Sequence, residues 1–168
     1  MLFRSVSQSR YKLRKKGLHL FKNSIRQLNL GSYGIADLVC YHRQHSKYGT
    51  ILNVQVVEIK KDAINAETLM QASRYVVGIK RLLNNRFNLQ RTSVVFTIVL
   101  IGKEIQLSGD FVFLLDAFHE ASAYTYSIDL DEGVKFENHS GWFITNETFV
   151  NSERVIREHY KNTVKLNG

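Results

Sequence analysis

Residues 54–61 read Val54-Gln55-Val56-Val57-Glu58-Ile59-Lys60-Lys61. The stretch opens as a core strand, rich in β-branched residues. It then places Glu58 and Lys60 two apart, on the side of the strand that carries Val54 and Val56. A core-facing strand that ends by turning a carboxylate and an amine the same way needs a partner for that charge. Upstream, Ile35 to Tyr41 forms a second strand pattern, and polar residues 44–49 separate the two as a turn. If the turn is centred between Lys47 and Tyr48, the strands at 35–41 and 50–60 pair as a hairpin with Asp37 opposite Glu58. Opposed side chains share a face, with Cβ atoms roughly 5 Å apart. Two carboxylates that close repel unless a positive charge lies between them. Lys60 supplies part of that charge. A divalent cation such as Mg²⁺ or Mn²⁺ supplies it better, because such ions take one or two carboxylates and leave room for water and phosphate oxygens.

Outward from this pair, the periodicity predicts an amphipathic helix over 17–30, with Leu18, Phe21, Ile25 and Leu28 at helical spacing and Gly31 as its stop. A second helix is predicted over 65–83. Asp62 or Asn65 is its N-cap, and Leu69, Ala72, Val76, Ile79 and Leu83 are its buried stripe. The apolar run 92–101 reads as a central strand. Beyond it come a short helix over 111–121, a strand over 123–130, a turn at Asp131-Glu132-Gly133 with a return strand over 134–137, and a closing helix over 148–160. This order implies an α/β (α+β) fold, with a mixed sheet flanked by helices. The 168 residues fit one domain, 1–168, with 1–16 as a basic N-terminal arm.

Charge is unevenly distributed. The net charge is +8, and residues 1–36 hold eight Lys and Arg and no acid. Such a segment suits a polyanion, most simply nucleic acid, through phosphate neutralisation and counterion release. Arg10, Lys12, Arg14, Lys15, Lys16 and Lys22 are the candidate contacts, with Arg74 on the second helix. One cysteine, Cys40, permits no intrachain disulfide, and the longest apolar run is too short to span a bilayer. A reducing intracellular compartment, cytoplasmic or nucleoid-associated, is expected in preference to a mitochondrial presequence, and no membrane partner is expected. Cys40, His42 and His45 lack the spacing and the fourth ligand of a zinc site. No glycine-rich phosphate loop or nucleophile elbow is present.

Gly34-Ile35-Ala36-Asp37, followed by the strand ending Glu58-Ile59-Lys60, resembles the PD-(D/E)XK nuclease superfamily. The next helix, Glu67-x-x-x-Gln71-x-x-Arg74-Tyr75, resembles the Gln-x-x-x-Tyr helix of its RecB-like branch. The likeness covers about residues 17–101 and implies a restriction-endonuclease-like core, αββαβ. It also implies a metal held by Asp37, Glu58 and the Ile59 carbonyl, with Lys60 as the catalytic lysine. Gln71 and Tyr75 would position the nucleic acid or the site itself. The expected activity is Mg²⁺- or Mn²⁺-dependent hydrolysis of DNA, endonucleolytic, with a homodimer where both strands are cut. The chain departs from the family in two places. Ala36 stands where the motif has proline, and no acid precedes Asp37 to act as the first-helix glutamate that many members carry. That absence leaves room for a module of the same fold that binds nucleic acid, or serves in an assembly, without cutting.

Overall fold

The computed structural model describes residues 13–47, 49–86, 92–106, 109–118 and 120–139. Strands β1 (Asn23–Asn29), β2 (Ile35–Ser46) and β3 (Gly49–Ile59) form an antiparallel meander. A short strand β4 (Ala63–Ile64) and helix α1 (Ala66–Arg86) lead to β5 (Thr92–Gly102), which pairs parallel to β3. Strand β6 (Glu104–Ile105) and helix α2 (Gly109–Ala117) lead to β7 (Ala121–Asp129), parallel to β5. Strand β8 (Gly133–Asn138) returns antiparallel to β7. The six-stranded sheet has the order β1-β2-β3-β5-β7-β8, and β4 pairs with β6 as a separate two-stranded ribbon.

The chain steps the same way across the sheet from β3 to β5 and from β5 to β7. Right-handed crossovers taken in one direction put both connecting helices on one face. Leu69, Ala72, Tyr75, Val76 and Ile79 of α1 and Phe111 of α2 accordingly share one cluster with Val54, Val56, Ile98 and Leu100. The stripe predicted for α1 is the buried one, with Leu83 at its margin. Asn65 is the N-cap. Its Oδ1 accepts the Thr68 amide at 3.0 Å, and Thr68 Oγ1 accepts the Asn65 amide at 3.3 Å, a reciprocal box that closes the helix start. Asn65→Ala is expected to cost about 1 kcal/mol in urea denaturation.

The predicted helix over 17–30 is not formed. Residues 18–22 have no regular structure, and 23–29 are the edge strand β1, so a strand stands where the expected αββαβ order has its first helix, and helical backbone before β1 is described only at 13–15. The reason is tertiary. β2 needs a second antiparallel neighbour, and Asn23, Ser24 and Asn29 are weak helix formers that give up little by pairing with it. Upstream, the segment crosses the face of the sheet opposite the helices. Phe136 N donates to the Lys16 carbonyl at 2.8 Å, Leu18 is buried among Cys40, Val57, Val99 and Tyr124, and Phe21 N donates to Gln55 Oε1 at 2.8 Å. Helices α1 and α2 lie on one face, and this strap, helical at 13–15 and irregular over 18–22, covers the other. The later elements follow the predicted order, with α2 ending at Ala117 rather than 121. The closing helix predicted over 148–160 lies outside the described residues. No helix among the described residues is long and apolar enough to cross a membrane.

Candidate active site

The register between β2 and β3 is the one the turn implied. Val39 faces Val56 and Leu38 faces Val57, the last pair of the ladder. Asp37 and Glu58 therefore stand one step past the paired region, on the helix-bearing face that also holds Val39 and Val56. Beyond that last pair the backbone groups are free to serve the side chains. The amide of Ile59 donates to Asp37 Oδ2 at 3.1 Å. On its other side β3 stays tied to the sheet, because the Lys60 amide donates to the Ile101 carbonyl at 2.8 Å.

Lys60 follows Glu58 on the same face, and α1 runs across the strand end. The Lys60 ammonium donates to Glu58 Oε1 at 2.9 Å and to Gln71 Oε1 at 2.9 Å. Gln71 in turn donates through Nε2 to the Tyr75 hydroxyl at 2.6 Å, the two being one helical turn apart. The Tyr75 ring is buried in the core, so the chain from Tyr75 to Gln71 to Lys60 runs from a fixed base to a half-exposed ammonium. Asp37, Glu58, Lys60, Gln71 and Tyr75 are thus brought together.

Glu58 is 2% exposed, and its Oε2 is buried with no hydrogen-bond partner. Burial pushes its pKa above the ordinary glutamate value. The Asp37 carboxylate pushes the same way, and the Lys60 bond and charge oppose both. A buried carboxylate oxygen without a partner is costly, and Lys60 meets only one of the two. Among the described residues no cluster of three or more His, Cys, Asp and Glu side chains forms. The acidic donors at this place are two carboxylates, a hard-oxygen set that suits Mg²⁺ or Mn²⁺. With Lys60 on Glu58 Oε1 and the Ile59 amide on Asp37 Oδ2, the oxygens left for a cation are Glu58 Oε2 and Asp37 Oδ1.

Arg14, Lys15, Lys22 and Arg74 are exposed, and Lys16 is drawn to the β7–β8 turn, where Nζ donates to the Glu132 carbonyl at 3.0 Å. Arg10 and Lys12 lie outside the described residues.

Two supporting residues carried too little sequence signal to be assigned a role. Gly34 has φ +101°, and a Cβ there would lie 3.0 Å from Tyr75 Cε1, so the glycine lets the strand start close against the ring. A glycine just before a strand hinted at a special backbone. Tyr126 donates its hydroxyl to the Lys61 carbonyl at 2.7 Å, holding the chain just past the site from β7, and no local pattern announced it. Compared with family models, curated proteins and solved structures, the chain matches none.

If the site cleaves phosphodiester bonds and Gln71 holds Lys60 in place, Gln71→Leu should lower turnover about 10-fold with little loss of stability, because Lys60 keeps only its Glu58 bond. Tyr75→Phe should act in the same direction, and the double variant should fall short of the product of the two. A double-mutant cycle on kcat measures that coupling.

Proposed function

We propose that this protein is a Mg²⁺- or Mn²⁺-dependent nuclease that hydrolyses DNA phosphodiester bonds, with internal cutting favoured, on a restriction-endonuclease-like core. The observation that carries the reading is the buried, partnerless Oε2 of Glu58 beside Asp37, with Lys60 held on the other Glu58 oxygen by a helix residue. Charge supports a polyanionic substrate. Residues 1–57 hold ten Lys and Arg, and Asp37 is their only acid.

Asp37 and Glu58 would hold the cation, and the Ile59 carbonyl is the further ligand that the family resemblance suggests. A divalent ion held there would supply water activation and offset phosphate charge. Lys60 carries a proton on Nζ and donates to an incoming phosphate oxygen or orients the attacking water. Gln71 limits where Nζ can swing, and Tyr75 limits Gln71. Burial of Glu58 keeps bulk water from competing for its oxygens.

A second reading is favoured by two observations. Residues 1–36 hold no acid to complete a metal shell, and Lys60 already neutralises part of Glu58. The protein would then be a nuclease-fold module that binds nucleic acid or serves in an assembly without cutting it. Incubating plasmid and single-stranded DNA with Mg²⁺, Mn²⁺ or EDTA separates the two. The nuclease cuts only with metal, and Lys60→Ala and Asp37→Ala each lower the rate about 10³-fold. Metal-dependent cutting that persists unchanged in both variants would remove the site assignment. Salt-sensitive DNA binding, without cleavage and without metal uptake by calorimetry, would establish the second reading.

A further inference from the structure

The site is assembled from three separate elements. Asp37 comes from the start of β2, Glu58 and Lys60 from the end of β3, and Gln71 and Tyr75 from α1. Among the described residues, a 3₁₀ turn, Gly31–Tyr33, joins β1 to β2 and lies directly against that helix. A Cβ built on Gly78 of α1 would lie 2.9 Å from Tyr33 Cβ and 3.0 Å from its Cγ, so the tyrosine sits on bare helix backbone. Arg81, three residues along the helix, places its guanidinium carbon 5.6 Å from the centre of the same ring. The next residue, Gly34, packs against Tyr75. The turn is closed by Gly34 N donating to the Gly31 carbonyl at 3.0 Å, and it is tied back to β1 by Leu30 N donating to the Gly34 carbonyl at 2.8 Å.

We propose that Tyr33 is a positioning residue of this site: clamped between Gly78 and Arg81, it sets where β2 starts relative to α1 and so places the Asp37 carboxylate beside Glu58. Tyr33 touches none of the five site residues through a hydrogen bond, and it acts through the four-residue path from the ring to Asp37. Aromatic packing on a glycine suits this task. The ring is rigid, it meets backbone rather than a side chain that can rotate away, and the cation above it opposes sliding. Gly78 is then retained in a helix interior, where alanine would be the better helix former, because a methyl group would push the ring and the turn outward.

The proposal rests on the nuclease reading only in giving the site a purpose, and its test does not need metal or cleavage. The Ile59 amide bonds to Asp37 Oδ2, whereas the neighbouring Lys60 amide bonds to Ile101 across the sheet. Amide hydrogen exchange of the full chain, followed by NMR, therefore reports Asp37 placement at Ile59 and sheet integrity at Lys60. In Tyr33→Ala, Ile59 should exchange at least about tenfold faster while Lys60 stays within twofold of wild type. Tyr33→Phe, which keeps the ring, should restore Ile59. Gly78→Ala, a substitution that favours the helix, should reproduce the Ile59 effect with Tyr33 intact, and it serves where Tyr33→Ala does not fold. An unchanged Ile59, or equal acceleration at Ile59 and Lys60, would overturn the proposal. Failure of the nuclease reading shows separately, as wild-type protein that takes up no Mn²⁺ in calorimetry.

Discussion

Glu58→Gln is expected to lower metal-dependent DNA cleavage by about 10³-fold or more and, in the same protein, to raise the melting temperature. The loss follows from the hard-oxygen donor set, because an amide in place of the inner carboxylate removes a full charge from a two-carboxylate site. The gain follows from burial. Glu58 is almost wholly enclosed, and one of its oxygens has no partner. The neutral amide keeps an acceptor for Lys60 while removing the buried charge. A gain of about 1 kcal/mol is expected, or roughly 3 °C for a chain of this size.

The same residue sets a pH dependence. Its folded pKa is raised above the ordinary 4.5, chiefly by burial. The native state therefore holds the Glu58 proton more tightly than the unfolded chain does. The stability this contributes is fully present below 4.5 and is lost as the pH rises through the folded value. Wild type and Glu58→Gln should have similar stabilities at acidic pH and diverge as the pH rises, with the variant ahead. If Mg²⁺ binds as proposed, it should reverse the order: at about 100 times its dissociation constant it would add about 2.7 kcal/mol to wild type and little to the variant. Melting curves across pH, with and without Mg²⁺, measure all three effects.

Gly34→Val is expected to cost about 3 kcal/mol, or roughly 9 °C in melting temperature. Two penalties coincide. The backbone has φ +101°, which a β-branched residue adopts only under strain, and the new Cβ would meet the Tyr75 ring at 3.0 Å. The ring cannot yield easily, because it is buried in the core and its hydroxyl anchors Gln71. Gly31→Asn provides the contrast. Its φ of +64° is one asparagine tolerates, and nothing lies within 4 Å of a Cβ there, so a cost of a few tenths of a kcal/mol is expected. Urea denaturation of the two variants separates crowding against the ring from positive φ alone.

The site was more legible in the sequence than the first quarter of the fold. Strand periodicity puts Val54, Val56, Glu58 and Lys60 on one face. The polar run around Lys47 sets the hairpin, and the ladder from Leu38–Val57 to Ser46–Gly49 keeps that register. Gln71 and Tyr75, four apart on a helix, necessarily share a side. Each of these relations is short-range. The segment 17–30 misled because Leu18, Phe21, Ile25 and Leu28 fit a helix locally, yet Leu18 is buried under the sheet while Ile25 is exposed on the edge strand. No periodicity encodes that an outer strand of β2 and a strap across its back would compete for those residues.

The sequence by itself determined the pairing of β2 with β3, the face that carries Asp37, Glu58 and Lys60, and the buried stripe of α1, which runs on through Asn84 and Asn85 to Arg86 rather than stopping at 83. Side-chain period, turn position and cap chemistry act within a few residues and do not depend on the rest of the chain. Only the tertiary structure decided that 23–29 is a strand, that α1 and α2 cover one face, and that Glu58 Oε2 is shut away without a partner. It also decided that Tyr33, Gly34 and Tyr126 brace the site. Burial and bracing arise from elements far apart in sequence packing against one another, and the energy of that packing outweighs the local helical preference of a short amphipathic segment.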